Sequence, residues 1–375
     1  MNTYFAVCAP GLESLTAQEM RLLDLPAEPE PGGVSFKGGL AELYRANLHL
    51  RTAARILARV GTFFHAATFA ELRQRTTALP WERFLQPGQA PVLRVTCHKS
   101  RLYHSDAVGR VVAAALAERL GSTTPPVKAQ LEGDSPAQTV IVRLAEDRCT
   151  ISVDSSGAML HRRGYRQAVA RAPLRETFAA AMLLASGWDR RSPLVDPFCG
   201  SGTIAIEAAC LARNIAPGIQ RRFAFMDWSS FDASLWQGLC EAARNAALPQ
   251  APDILACDRD AGAIDMARTN AERAGVAAQI IFKHQAVSAL EPPPGTGWVV
   301  TNPPYGVRLD AGGDLRDLYA RFGDVLRRQC PAWHLAVLCS DPVLTGQLRL
   351  RLQPALSFKT GGLRVHLDCG EINPQ

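Results

Sequence analysis

A chain of 375 residues, 47% hydrophobic and 20% charged, has a globular composition and room for two or three domains, which sets aside a disordered or fibrous protein. The formal net charge of +6 is a mild basic excess, compatible with a nucleic-acid partner without demanding one. Ten cysteines with no C-x-x-C pair argue against a zinc site, and no apolar run reaches the ~18–20 residues that cross a bilayer, so a cytoplasmic, metal-free protein in a reducing compartment is expected.

The N-terminus, MNTYFAVCAPGLE, lacks the basic and apolar regions of a signal peptide. In chain order, Tyr4–Ala9 reads as a strand, Leu12–Leu23 as a helix, 26–33 as a turn or loop, and Val34–Phe36 as a strand. Leu40–Ala58 has helical apolar spacing and Val60–Phe64 reads as a strand. The pattern then restarts: helix Phe69–Leu85, strand Val92–Cys97, and an amphipathic helix Ser105–Leu120 with Ser105 as its expected N-cap. Thr139–Leu144 and Cys149–Val153 form a hairpin-like pair. This order suggests two small α+β units. A basic cluster follows, with Arg162, Arg163, Arg166, Arg171 and Arg175 within fifteen residues.

The second half has a different texture. Short apolar runs at 194–195, 254–257, 280–282, 298–300 and 335–339 alternate with helices, as in a doubly wound α/β domain whose parallel sheet is covered on both faces. Leu352–Phe358 and Leu363–Leu367 flank Lys359-Thr-Gly-Gly362, so the sheet is expected to end in an antiparallel pair.

Two motifs carry chemistry. The first, Asp196-Pro-Phe-Cys-Gly-Ser-Gly-Thr203, follows a strand and opens an Ala-rich helix. Gly200 and Gly202 remove side chains where a nucleotide-like cofactor approaches the main chain. Gly200-x-Gly202-x-x-Ala205 also fits the dinucleotide fingerprint, which keeps NAD as a competitor, although arginines (Arg221, Arg222) stand where an acidic residue is expected. The next strand ends at Asp258, after a long insertion at about 213–250, and Asp258 is placed either to accept ribose hydroxyls or to cap a helix.

The second motif is Asn302-Pro-Pro-Tyr305, again at a strand end. Two prolines stiffen the backbone and hold a carbonyl oxygen and the Asn302 amide oxygen at one spot. Two acceptors there take both N–H bonds of one amine. A base amine is a poor nucleophile because its lone pair is delocalised; gripping both hydrogens favours a pyramidal nitrogen and returns the pair for attack. Tyr305 supplies a face for stacking a base.

With both motifs in place, the sequence resembles the class I S-adenosylmethionine-dependent methyltransferases that act on amines, and more closely the bacterial THUMP-domain RNA methyltransferases, including the 23S rRNA guanine-N2 enzymes. The match lies in Leu194–Thr203, Asp258-Arg-Asp260, Asn270–Gly275 and Thr301–Leu309; in the connector segments His161–Arg166 and Ala172–Thr177; and, less specifically, in Phe5–Glu13 and Val95–His104. The resemblance implies an N-terminal ferredoxin-like unit (1–60), a THUMP RNA-binding domain (61–158), a linker and cofactor-flanking segment (159–180), and a C-terminal Rossmann-like domain (181–375) with seven strands, the last ones antiparallel.

By the same resemblance, Asp196, Phe198, Gly200, Gly202, Thr203, Asp258, Arg259 and Asn302 line the cofactor site, Glu176 and Thr177 lie near its methionine end, and Asn302, Pro303 and Tyr305 handle the target base. The family's Gly-Asp after the third strand is replaced by His284-Gln285-Ala286, so Gln285 and Ala286 stand at the adenine with an uncharged acceptor. Lys99, Arg101, Arg162, Arg163, Arg166 and Arg308 are expected on the RNA. The expected partner is 23S rRNA or a tRNA, bound by a monomer. The motif equally serves adenine N6, DNA bases or a glutamine side chain. From other classes, an NAD-dependent oxidoreductase and a non-catalytic RNA-binding protein remain alternatives.

Overall fold

The computed structural model describes residues 2–89, 91–121, 127–128 (backbone only), 138–166, 174–305, 315–360 and 362–373. The first half holds strands β1 (Asn2–Val7), β2 (Ala27–Glu30), β3 (Gly33–Gly38), β4 (Arg55–Arg59), β5 (Phe64–His65), β6 (Val92–His98), β7 (Val127–Lys128), β8 (Thr139–Ala145) and β9 (Arg148–Asp154). Its helices are α1 (Glu13–Arg21), α2 (Leu40–His49), α3 (Phe69–Thr77) and α4 (Ser105–Leu120).

The two small units expected from sequence share one sheet. Its order is β2-β3-β1-β4-β9-β8-β6-β7, with β5 added on β9. The seam is the antiparallel pair β4–β9, where Leu57 faces Asp154 and Arg59 faces Ser152. That pairing corrects the expected helix over Leu40–Ala58. The helix stops at Leu50, whose backbone turns extended, and residues 55–59 are drawn into the ladder between β1 and β9. Residues 27–30 are likewise a short edge strand rather than a loop. The helix from Phe69 closes at Ala78, because Pro80 cannot continue it. His104, not Ser105, is the N-cap of α4, and it caps with no side-chain hydrogen bond.

The second half contains α5 (Glu176–Ala185), β10 (Leu194–Asp196), α6 (Thr203–Ala212), α7 (Ala233–Asn245), β11 (Ile254–Asp258), α8 (Ala261–Arg273), β12 (Ile280–His284), β13 (Trp298–Thr301), α9 (Leu315–Gln329), β14 (His334–Cys339), α10 (Pro342–Gln347), β15 (Gln353–Thr360) and β16 (Leu363–Glu371). The sheet order is β12-β11-β10-β13-β14-β16-β15. The first five strands pair in parallel and the last two antiparallel, as the sequence pattern indicates. The strand order reverses beside β10, so β10, β11 and β13 bring their C-terminal ends to one crevice, the place where open α/β sheets bind ligands.

The insertion at 213–250 joins the halves. Phe223, Phe225 and Trp228 enter the core of the first half, where Phe225 stacks on Tyr44 with centroids 4.4 Å apart. Trp228 Nε1 donates to Gln138 Oε1 at 2.8 Å, and Gly218 N donates to Leu48 O at 2.9 Å. In the other direction, Cys8 and Leu12 belong to the core of the second half.

Candidate active site

The first motif folds as a tight turn between β10 and α6. Cys199 N donates to Cys257 O (2.9 Å) and Gly202 N to Cys199 O (2.8 Å). Both glycines have left-handed backbones, φ +51° at Gly200 and +81° at Gly202, but for different reasons. A Cβ on Gly202 would lie 2.9 Å from the Cβ of Ala267, so glycine there lets α6 and α8 approach. A Cβ on Gly200 would meet no protein atom within 4 Å; this is the open side of the loop. From behind, buried Asn270 donates Nδ2 to Ser201 O at 3.2 Å and pins the turn.

Asp258, at the end of β11, is not the cap of α8. Asp260 does that work, its Oδ1 accepting from Gly262 N at 2.8 Å. Asp258 instead spans the crevice floor: Oδ2 accepts from Gly200 N (2.9 Å) and Oδ1 from Asp260 N (3.0 Å). Gln285 follows β12 and is anchored twice, with its N–H on Asp258 O at 2.9 Å and Nε2 on Cys257 Sγ at 3.2 Å. With the NH2 committed to sulfur, the amide oxygen is turned the other way. Arg259 and Ala286 are exposed beside it.

The second motif stands on the neighbouring strand. β10 and β13 run in parallel register, Val195 opposite Val299. Past that register, buried Thr301 donates Oγ1 to Asp196 Oδ1 at 2.7 Å, and Asn302 is the next residue. The two motifs therefore meet at their strand ends. Phe198 N also donates to Asp196 Oδ1, at 3.3 Å, while the Phe198 ring packs edge-on against Phe322. Asp196 Oδ2 and Asn302 Oδ1 are both buried without a hydrogen-bond partner among the described residues. Burial pushes the Asp196 carboxyl up to about 7, against the lowering effect of the Thr301 hydroxyl and the Phe198 N–H. Pro303 is buried, and Pro304 O accepts from Tyr319 OH at 3.4 Å. The Tyr305 ring is only 2% exposed and packs in the core, so the open stacking face expected of it is not presented in this conformation.

Glu176 and Thr177 open α5 and are buried. Glu176 Oε1 lies 3.2 Å from Arg166 Nε, and Oε2 has no hydrogen-bond partner among the described residues. Desolvation raises the Glu176 carboxyl, which Arg166 opposes. Arg166 also donates to Leu174 O (2.8 Å) and to Thr203 Oγ1 (2.6 Å). Arg163 is 5% exposed, donates to Leu160 O and Arg51 O, each at 2.6 Å, and has Nε 3.6 Å from Glu207. These two arginines correct the sequence reading: each is committed inside the protein, beside a buried carboxylate, and neither is free for a phosphate. Arg162 is exposed, and Arg308 lies outside the described residues.

At the far end of the first sheet, Lys99 and Arg101 are exposed on the turn after β6, with Lys99 at φ +46°. Arg101 Nε is 3.8 Å from Asp147. Sequence reasoning missed the aromatic company of this tip. Tyr103 is 68% exposed, and Arg148 stacks over half-exposed Phe63 at 3.9 Å. The signal available was a set of aromatic residues flanking turns rather than filling strands.

The crevice thus offers a backbone-lined open turn and a bidentate acidic residue. It also offers three buried, unpartnered oxygens on separate segments: Asp196 Oδ2, Glu176 Oε2 and Asn302 Oδ1. Such oxygens cost free energy until a donor reaches them. A cofactor with an ammonium group and a ribose, and a substrate with an amine, supply those donors. Among the described residues, no three His, Cys, Asp or Glu side chains group to hold a metal, and no helix is long and apolar enough to cross a membrane.

Comparison with known sequences and structures shows the family. Residues 163–370 match the family described as RMKL-like, methyltransferase domain; residues 3–57 match an RlmL ferredoxin-like domain and 66–154 a THUMP domain. A Synechocystis protein named as a candidate RNA methyltransferase is 35% identical, covering 96% of this chain and 94% of its own length. The ribosomal RNA large subunit methyltransferase K/L of Syntrophotalea carbinolica is also 35% identical over 97% of this chain, which spans 53% of that longer protein. The crystal structure of SMU.472, a candidate methyltransferase solved with S-adenosylhomocysteine (SAH), superimposes with a TM-score of 0.87 at 30% identity, covering 100% of this chain and 98% of that one.

Proposed function

This chain belongs to the S-adenosylmethionine-dependent RNA methyltransferases that carry an RMKL-like catalytic domain behind a THUMP domain, and from that premise we propose that it methylates the exocyclic N2 of a guanine in RNA, 23S rRNA first. One observation carries the reading. The Thr301–Asp196 hydrogen bond ties the strand end that carries Asn302, whose buried amide oxygen has no hydrogen-bond partner among the described residues, to the strand end that opens the glycine turn, which supports a shared site.

The cofactor, when bound, supplies an activated sulfonium methyl, so the residues have only to align and polarise. Gly200 lets it reach the main chain, Asp258 accepts from its ribose, and Gln285 with Ala286 meets its adenine. Asp196, Glu176 and Thr177 surround its methionine end. Asn302 Oδ1 and the Pro303 carbonyl accept the two N–H bonds of the guanine amine, which gives the nitrogen lone pair back for attack. Placement and fixed dipoles of this kind are where the rate enhancement originates. Tyr305 stacks on the base once its ring leaves the core, a movement an extruded nucleotide would stabilise. Lys99, Arg101, Arg162 and Arg308 meet phosphates, and the exposed Phe63 and Tyr103 meet unpaired bases.

The test is nucleoside mass spectrometry of rRNA and tRNA from a strain lacking the gene. Loss of N2-methylguanosine from 23S rRNA is expected. Its loss from tRNA alone would name the other substrate, loss of N6-methyladenosine instead would overturn the base assignment, and an unchanged profile would overturn the reading.

A further inference from the structure

The bond that joins the two motifs belongs to neither. Thr301 precedes Asn302-Pro-Pro-Tyr305, and its side chain is fully buried with its hydroxyl 2.7 Å from Asp196 Oδ1. Asp196 and Thr301 are still laddered to their outer neighbours, opposite Ala256 and Val337, but between β10 and β13 themselves the register stops at Val195 and Val299, so the side chains couple the two strand ends there. This hydroxyl is the cross-link at that point. On one side it fixes the plane of the Asp196 carboxylate, whose other oxygen is buried and unpartnered; on the other it ties down the residue from which Asn302 projects its own unpartnered oxygen. We propose that Thr301 is a positioning residue: its hydroxyl clamps Asp196 so that Oδ2 faces the cationic methionine end of the cofactor, and in the same act holds Asn302 at the reacting amine. The proposal rests on the reading that this crevice binds S-adenosylmethionine.

The clamp also governs charge. Asp196 sits among Asp258, which raises it further, and the thiols of Cys199 and Cys257, both pushed up by burial and therefore neutral. Against these, the Thr301 hydroxyl and the Phe198 N–H are the groups that favour the carboxylate. A carboxyl raised to about 7 is ionised above that pH and neutral below it, so attraction for an ammonium is present on the alkaline side and fades as pH falls through 7. Removing the hydroxyl leaves burial and Asp258 less opposed, and the midpoint moves to higher pH.

The experiment is titration calorimetry of the full chain with SAH, which keeps the ammonium, from pH 6 to pH 8.5. Wild type, Thr301→Val, Thr301→Ser and Asp196→Asn are compared, with melting curves to establish folding. Wild-type affinity should weaken toward acid with a midpoint near 7. Thr301→Val should bind about tenfold more weakly at pH 7, the scale of one hydrogen bond to a charged group, with its midpoint displaced upward. Thr301→Ser should restore both values, and Asp196→Asn should flatten the profile. A folded Thr301→Val with wild-type affinity and midpoint overturns the proposal. If that variant does not fold, an unaltered pH profile in Asp196→Asn overturns it independently. A wild-type protein that binds no SAH at any pH refutes the functional reading instead.

Discussion

Arginine serves opposite ends of this molecule in opposite ways. In the connector, Arg163 and Arg166 are sealed against Glu207 and Glu176 and donate to main-chain carbonyls at 2.6–2.8 Å. At the tip of the first sheet, the Arg101 side chain is 77% exposed and only 3.8 Å from a partly exposed Asp147. Both stand in short basic runs after a strand, and composition alone assigns both to RNA. The difference lies in the acids. Glu176 and Glu207 are single carboxylates on helices that are otherwise Ala- and Leu-rich and buried on nearly every face, so each requires an internal cation. A lone acid in an all-apolar helix is thus a sequence signal for a buried arginine elsewhere in the chain. In the proposed reading the connector supports the cofactor pocket and the tip meets the substrate.

Substitutions test that division by the size of their effects. The largest is expected at the strand-end site that the connector supports. Asn302→Ala should lower methyl transfer by about 10²–10³-fold, the cost of one preorganised group at a reacting centre, while calorimetry finds SAH binding unchanged within a few-fold. Unaltered turnover would remove Asn302 from the mechanism. Arg163→Met comes next, because it takes a cation and the donors to two main-chain carbonyls from a sealed site; urea unfolding should register a loss of about 3 kcal/mol. A loss below 1 kcal/mol would mean that the connector arginines are no more structural than those at the tip. Gly202→Ala forces a left-handed backbone on alanine and crowds Ala267, and should cost about 2 kcal/mol in the same measurement. The smallest effect is at the tip. Arg101→Ala should leave stability unchanged, since an exposed pair contributes about 0–1 kcal/mol. It should weaken RNA binding a few-fold and reduce the slope of log affinity against log salt by about one. An unchanged slope would take the tip off the RNA.

The same contrast explains what could be read in advance. The second sheet was legible down to its antiparallel end, because buried parallel strands are continuous apolar runs and each is set locally. The strand-end positions of Asp196 and Asn302 were legible because strand, turn and motif coincide. Residues 50–59 were not: Arg55-Ile-Leu-Ala-Arg59 fits a helix by spacing, and only the presence of β1 and β9 on either side makes it a strand. The insertion at 213–250 carries aromatics whose partners, such as Tyr44, lie far away in sequence, so no local pattern reveals its docking. Tyr305 and Asp258 show the same limit at single residues, where packing and a neighbouring cap decided what the motif left open.

The loop before α1 has a consequence for how the protein is made. A methyl group on Gly11 would run into the main-chain carbonyl of Ser357 in β15, and Leu12 beside it is buried in the core of the second half. On the ribosome this loop emerges well before the strand that its backbone approaches so closely. The first sheet can form early, but Cys8 and Leu12 belong to a core built from the second half and stay uncovered until that half is made. A nascent chain stalled before residue 353 would lack the strand against Gly11 and present a less fully covered apolar loop to chaperones and proteases.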